Sequence, residues 1–172
     1  MKLVLAAAVG LSLLAGQALA QAPAAQNPLD VIPTVQPFDQ PYGAPISLAR
    51  AEAVVAAAVA EAAKHGWHMN VSVLDTGGNL VAFGRMDGAQ LASIAISQAK
   101  AKAAVEFRRE TKVFESGIQA GNVYQVTLPG VVGSRGGIPL VENGKIIGSI
   151  GVSGGAGAQD EVCAKAGVAV IK

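Results

Sequence analysis

Cysteine occurs once in the 172 residues, at Cys163, so no disulfide can form within the chain. Histidine occurs twice, and His65 and His68 flank Gly66 near the end of a helical pattern rather than standing at the i, i+4 spacing that aims two imidazoles at one metal. A structural metal site is therefore not expected. Aromatic residues are scarce at 4%, and there is no excess of either charge: 13 Lys and Arg face 12 Asp and Glu. That balance, with no basic stripe, argues against nucleic acid as a partner. No G-x-S-x-G elbow and no G-x-x-x-x-G-K-[ST] loop is present, which counts against an ordinary serine hydrolase and against nucleotide binding. The one long apolar run, Leu3 to Leu14, is shorter than the roughly 20 residues that span a bilayer.

That run follows Met1-Lys2 and precedes Ala18-Leu19-Ala20, the order of a secretory signal peptide. Residues 1–20 are read as that leader, which implies a periplasmic or secreted protein with no membrane association after cleavage. Residues 21–45 carry Pro at 23, 28, 33, 37, 41 and 45, which excludes a regular helix and predicts an extended arm. Its aliphatic residues, Leu29, Val31, Ile32 and Val35, together with Phe38, would suit a chain that lies across another surface. Residues 46–172 are long enough for one domain.

Within that domain Ser47 offers a cap to an Ala-rich helix with Leu48, Ala51, Val55, Val59 and Ala62 on one face and Gly66 as its stop. Strands through Val71 and from Leu80 to Arg85 flank Asp75-Thr76-Gly77-Gly78-Asn79, the pattern of a hairpin. Asp87 with Gln90 resembles a capping box for a second helix along Leu91, Ile94, Gln98, Ala101 and Val105. An irregular stretch from Thr111 to Gly130 holds one short helix. Strands are expected at Val131–Ser134, Ile138–Val141 and Ile146–Val152, the last two joined by an Asn143-Gly144 turn of type I′, before a final helix from Ala158. Consecutive hairpins give an antiparallel sheet with helices against it, an α+β class.

Residues able to bind a ligand are few. Arg85 and Asp87 could clamp a polar group or pair with each other. Gly154-Gly155-Ala156-Gly157 opens the last helix, where free N–H groups can receive an anion or simply make a tight turn. Gly136 and Gly137 permit a bend or the close approach of a ligand. Met69 reads as core, and Cys163 as a small buried hydrophobe.

Several segments together resemble one family: Val73-Leu74-Asp75-Thr76-Gly77-Gly78-Asn79, Arg85-Met86-Asp87-Gly88, Ala99-Lys100-Ala101-Lys102, Gly136-Gly137-Ile138-Pro139-Leu140 and Gly148-Ser149-Ile150-Gly151-Val152-Ser153-Gly154. In that order they are similar to the HbpS/GlcG family, to which the carboxyl-terminal domain of PduO-type proteins is related. The resemblance implies a profilin-like fold, a five-stranded antiparallel sheet flanked by helices, assembled as a homo-oligomer. It also implies haem or tetrapyrrole binding, with any activity haem-dependent or haem-degrading rather than hydrolytic. Lys100, Lys102 and Arg85 would then be available to propionates. Asn79 stands where relatives often carry His, and Ala103 where they often carry Thr, so iron ligation would need another donor: His68, Met69 or Tyr124. Two other readings remain open, a small-carboxylate-binding accessory of 2-hydroxy-acid metabolism using Arg85 and the Gly154 loop, and a structural oligomer without ligand.

Overall fold

The computed structural model describes residue 27 and residues 30–171. The expected leader, 1–20, and the first residues of the arm lie outside the described residues. Gln36–Lys172 form one compact unit that holds every element considered below, so Gln36–Pro45, the end of the expected extended arm, belong to that unit.

Helix α1, Leu48–Lys64, starts after Ser47 and ends where Gly66 takes φ +67, a conformation glycine adopts without strain. Its buried face is Ala51, Val54, Ala58 and Ala62; of the expected stripe, Ala51 and Ala62 are buried, whereas Leu48, Val55 and Val59 are not. The alanines let α1 lie close to α4, Gly157–Val168, where Val54 meets Gly167, and the larger residues turn toward the sheet edge.

Strands β1, Asn70–Leu74, and β2, Leu80–Arg85, form the first hairpin. The Asp75 carboxylate closes its turn by accepting the Gly77 N–H at 2.8 Å and the Asn79 N–H at 2.9 Å. Strands β3, Gly137–Glu142, and β4, Lys145–Ser153, form the second, and positive φ at both Asn143 and Gly144 matches the type I′ turn. The sheet is antiparallel in the order β2-β1-β4-β3. Among the described residues it has four strands, not five. Val131–Ser134 is not a strand, because Val131 N–H bonds back to Leu128 O in a turn, and Gly130 and Gly136, both at positive φ, redirect the chain on either side.

The two faces of the sheet differ in chemistry. Val71, Val73, Ile150 and Val152 join the apolar core with α1 and α4. The alternate residues, Ser72, Ser149 and Ser153, meet α2, Ala92–Glu106, through Ser97, the Ala101 carbonyl and Ser93 at 2.7–3.0 Å. Helix α2 begins at Ala92, so Asp87 does not cap it as expected: Asp87-Gly88 forms a separate turn, with Gly88 at φ +78. Helix α3, Lys112–Gln119, and a 3-10 turn, Val123–Thr127, fill the irregular stretch.

Candidate functional site

The outer face of α1 and strand β2 enclose an apolar groove. Leu48, Val55 and Val59, with one carboxylate, Glu52, form one wall and Val81 and Phe83 the other, around a cavity of about 510 Å³. Gly84 permits this close approach, since a Cβ there would lie 2.7 Å from a Val55 methyl. Past Val59 the groove continues into a second cavity of about 520 Å³, lined by Gly84, Met86 and three polar residues, His68, Arg85 and Asp87. Both volumes fall within the range of small-ligand sites.

His68 is exposed, and its Nδ1 lies 2.7 Å from the Asp87 carbonyl oxygen. A carbonyl can only accept, so Nδ1 carries the hydrogen and the neutral ring keeps its lone pair on Nε2. The ring rests on Gly88, where a Cβ would stand 3.3 Å from Nδ1. The other histidine is committed elsewhere: His65 contacts Glu61 at 3.1 Å and stacks on Trp67. Met69 is fully buried in the core, and the Met86 sulfur accepts its N–H at 3.4 Å. Tyr124 is half exposed on the 3-10 turn and lines neither cavity of the groove.

Of the residues anticipated from the sequence, Arg85 and Asp87 share the His68 cavity and make no ion pair with each other. Gly154 and Gly155 line a different cavity of about 300 Å³ on the far side of His68, with Gln90 and Gln159. Arg85 and the Gly154 loop thus line two different cavities, which have His68 in common, rather than the single site the small-carboxylate reading expected.

Lys100 is 2% exposed and donates to Asp160 at 2.7 Å, so its ammonium faces the interior and is withheld from propionates. Burial pushes the Asp160 carboxyl above its ordinary range, against the Lys100 hydrogen bond. Gly136, Gly137, Gly154 and Gly155 gather around this pair. A Cβ on Gly136 would meet Asp160 and the Val152 carbonyl, one on Gly137 the Lys100 carbonyl, and one on Gly154 the His68 carbonyl, while Gly155 N–H bonds Asp160 at 3.1 Å. These glycines serve close packing. Lys102 is a surface residue 3.8 Å from Glu106. Sequence reasoning missed Asp160 as the centre of this node, for its only signal was an acidic residue in the first turn of a helix.

Asn79 and Ala103 have structural explanations. The Asn79 amide donates to Asp75 at 3.2 Å within the hairpin turn, and Ala103 is fully buried. Among the described residues no cluster of three or more His, Cys, Asp or Glu could hold a metal ion.

The fold and groove define a small α+β domain with an open apolar cleft ending in an imidazole. Residues 46–169 match the family described as haem degrading protein HbpS-like, and the chain belongs to that family. It is 44% identical over 108 residues to protein GlcG of Escherichia coli strain K12, spanning 63% of this chain and 81% of GlcG. Among solved structures it resembles Klebsiella pneumoniae protein ORFY, with a TM-score of 0.71 and 30% identity over 82% of this chain and 97% of that one. A PduOC haem complex gives a TM-score of 0.68 and 29% identity over 74% and 96%. A double mutant of Streptomyces reticuli HbpS gives 0.67 and 31% over 89% and 99%.

Proposed function

We propose that this protein binds haem or a related tetrapyrrole in the groove between α1 and β2, with His68 as the iron donor. The observation that carries the reading is the His68 ring: its Nδ1 is occupied by the Asp87 carbonyl, which leaves Nε2 as a free lone pair at the end of an apolar cleft. The groove fits such a ligand in three respects. Val55, Val59, Val81 and Phe83 suit a flat apolar macrocycle, His68 supplies nitrogen, and Arg85, which has no carboxylate partner, suits a propionate. Membership of the HbpS-like family and the likeness to a haem-bound PduOC structure support the same reading. When bound, haem would supply redox chemistry; the protein's part is to hold and orient it.

The reading includes export through residues 1–20 and assembly as a homo-oligomer. It also takes the sheet as a profilin-like variant in which a bridge between Tyr42 and Ile146 extends the four strands.

Haem titration followed by Soret absorbance tests the proposal. The protein is expected to bind saturably with a shifted band, His68→Ala to lose about tenfold or more in affinity, and Tyr124→Phe to bind as the parent does. Equal affinity in His68→Ala would remove His68 as donor. Absence of any saturable shift would remove the haem reading.

A further inference from the structure

The opposite edge of the sheet, at β3, carries a further concave site. Arg108 and Arg109 stand over a floor of Ile138, Val141 and Val168, around a cavity of about 320 Å³. These arginines follow the end of α2, where Arg108 N–H bonds the Val105 carbonyl at 3.4 Å and Arg109 N–H bonds the Ala104 carbonyl at 3.2 Å. That pair of bonds is a Schellman ending, and it places Arg108 at the position after the cap, with φ +53. Glycine is the residue that ordinarily occupies this position, because a Cβ disfavours the left-handed conformation. An arginine here costs stability, and its side chain recovers little: one hydrogen bond to the Gln40 carbonyl at 3.4 Å and no ion pair.

Arg109 is also without a carboxylate. Its guanidinium lies 3.6 Å from the centre of the Phe38 ring and 5.4 Å from that of Phe114, and its Nε donates to the Phe107 carbonyl. Arg50 and Arg135, in contrast, each pair with glutamates. Burial and the neighbouring charge of Arg108 both lower the Arg109 pKa, the mark of two like charges held side by side and half out of water. Glu110 stands in the lining too and makes no ion pair with either arginine.

We infer that Arg108 and Arg109 form an anion site for a small organic carboxylate carrying a short apolar body. The guanidinium fork matches a carboxylate in a way an ammonium does not, and Phe38 and Phe114 fix the orientation of Arg109. The floor is aliphatic, so it rewards a ligand with carbon to bury; the negative charge of Glu110 in the lining disfavours a compact dianion such as phosphate more than a monoanion. The site is separate from the groove and does not depend on haem.

Hexanoate and, separately, inorganic phosphate would be titrated into the purified protein while the methyl NMR signals of Ile138, Val141 and Val168 are followed. Hexanoate is expected to shift those signals saturably, and Arg109→Gln and Arg108→Gly to weaken its binding about tenfold or more. Arg108→Gly is also expected to raise Tm by about 3 °C by relieving the backbone, so that its lost binding does not come from unfolding, and to leave haem affinity unchanged. The inference is overturned if hexanoate gives no saturable shift, if both variants bind it as the parent does, or if phosphate binds equally well. A lower Tm for Arg108→Gly would equally defeat the argument that stability is given up here for binding.

Discussion

Asp160 and Glu161 are neighbours near the start of α4, and their charges are kept in opposite ways. Asp160 is buried against one ammonium, Lys100, and burial raises its pKa. Glu161 is reached by Lys165 at 2.6 Å, Lys112 at 3.0 Å and Arg135 at 3.2 Å. Burial works against its charge as well, yet the hydrogen bonds from Lys165 and Lys112 prevail and hold it at about 2, below its ordinary 4.5. A carboxyl whose folded pKa is depressed adds stability that is fully present above about pH 4.5 and is lost as pH falls toward 2. Urea unfolding at stepped pH should therefore show stability falling through that window, with Glu161 contributing at most on the order of 3 kcal/mol. Glu161→Gln should flatten that limb; an unchanged limb would mean that other carboxylates dominate acid unfolding.

At the scale of elements, the contact of α2 with the sheet depends on small residues. The helix presents Ser93, Ser97, Ala101 and Ala104, whereas Leu91, which heads the stripe read from the sequence, is 70% exposed. Strand β4 answers with Gly151, where a Cβ would overlap the Ser97 carbonyl and the Ala101 nitrogen. Backbone therefore meets backbone, and serine hydroxyls supply the bonds that larger apolar residues would have no room to replace. Gly151→Ala forces α2 away from the sheet and should cost roughly 1–3 kcal/mol or more, read as a lower urea midpoint. A cost near zero would show that α2 can shift freely, contrary to this close contact.

At the scale of the whole molecule, strand β4 is longer than its neighbour β1, and the segment before α1 covers the difference. Pairing with β1 runs from Ser149 to Ser153, and beyond it Ile146 N–H bonds the Pro41 carbonyl at 2.8 Å while Gly43 N–H bonds the Ile146 carbonyl at 2.7 Å. The expected arm thus ends as part of the sheet, leaving β2 and β3 as the outer strands, β2 beside the groove and β3 beside the Arg108–Arg109 cavity. A chain beginning at Gly43 should exchange the Ile146 amide on the order of tenfold faster, while the Ile150 amide, inside the ladder, keeps its protection. Unchanged exchange at Ile146 would mean that the Pro41 carbonyl is not what protects it.

The sequence by itself determined the helices, the two hairpins and their turns, because these depend on residues within a few positions of one another. Gly66 stops α1, Asp75 closes one turn, and Asn143-Gly144 closes the other. The same local logic failed at Val131–Ser134, since a strand exists only if another strand is there to pair with it. It held only in part for the buried faces of α1 and α2: Ala51, Ala62, Ala101 and Val105 are buried as expected, while Leu48, Val55, Val59 and Leu91 are not, because alanine and serine meet the neighbouring backbone there. Only the tertiary structure decided that Lys100 meets Asp160, sixty residues away, and not a ligand. It alone brought the Asp87 carbonyl to His68, nineteen residues earlier, and so freed Nε2. Charge pairing and the exposure of a donor are set by neighbours distant along the chain, and no local pattern records which neighbours those will be.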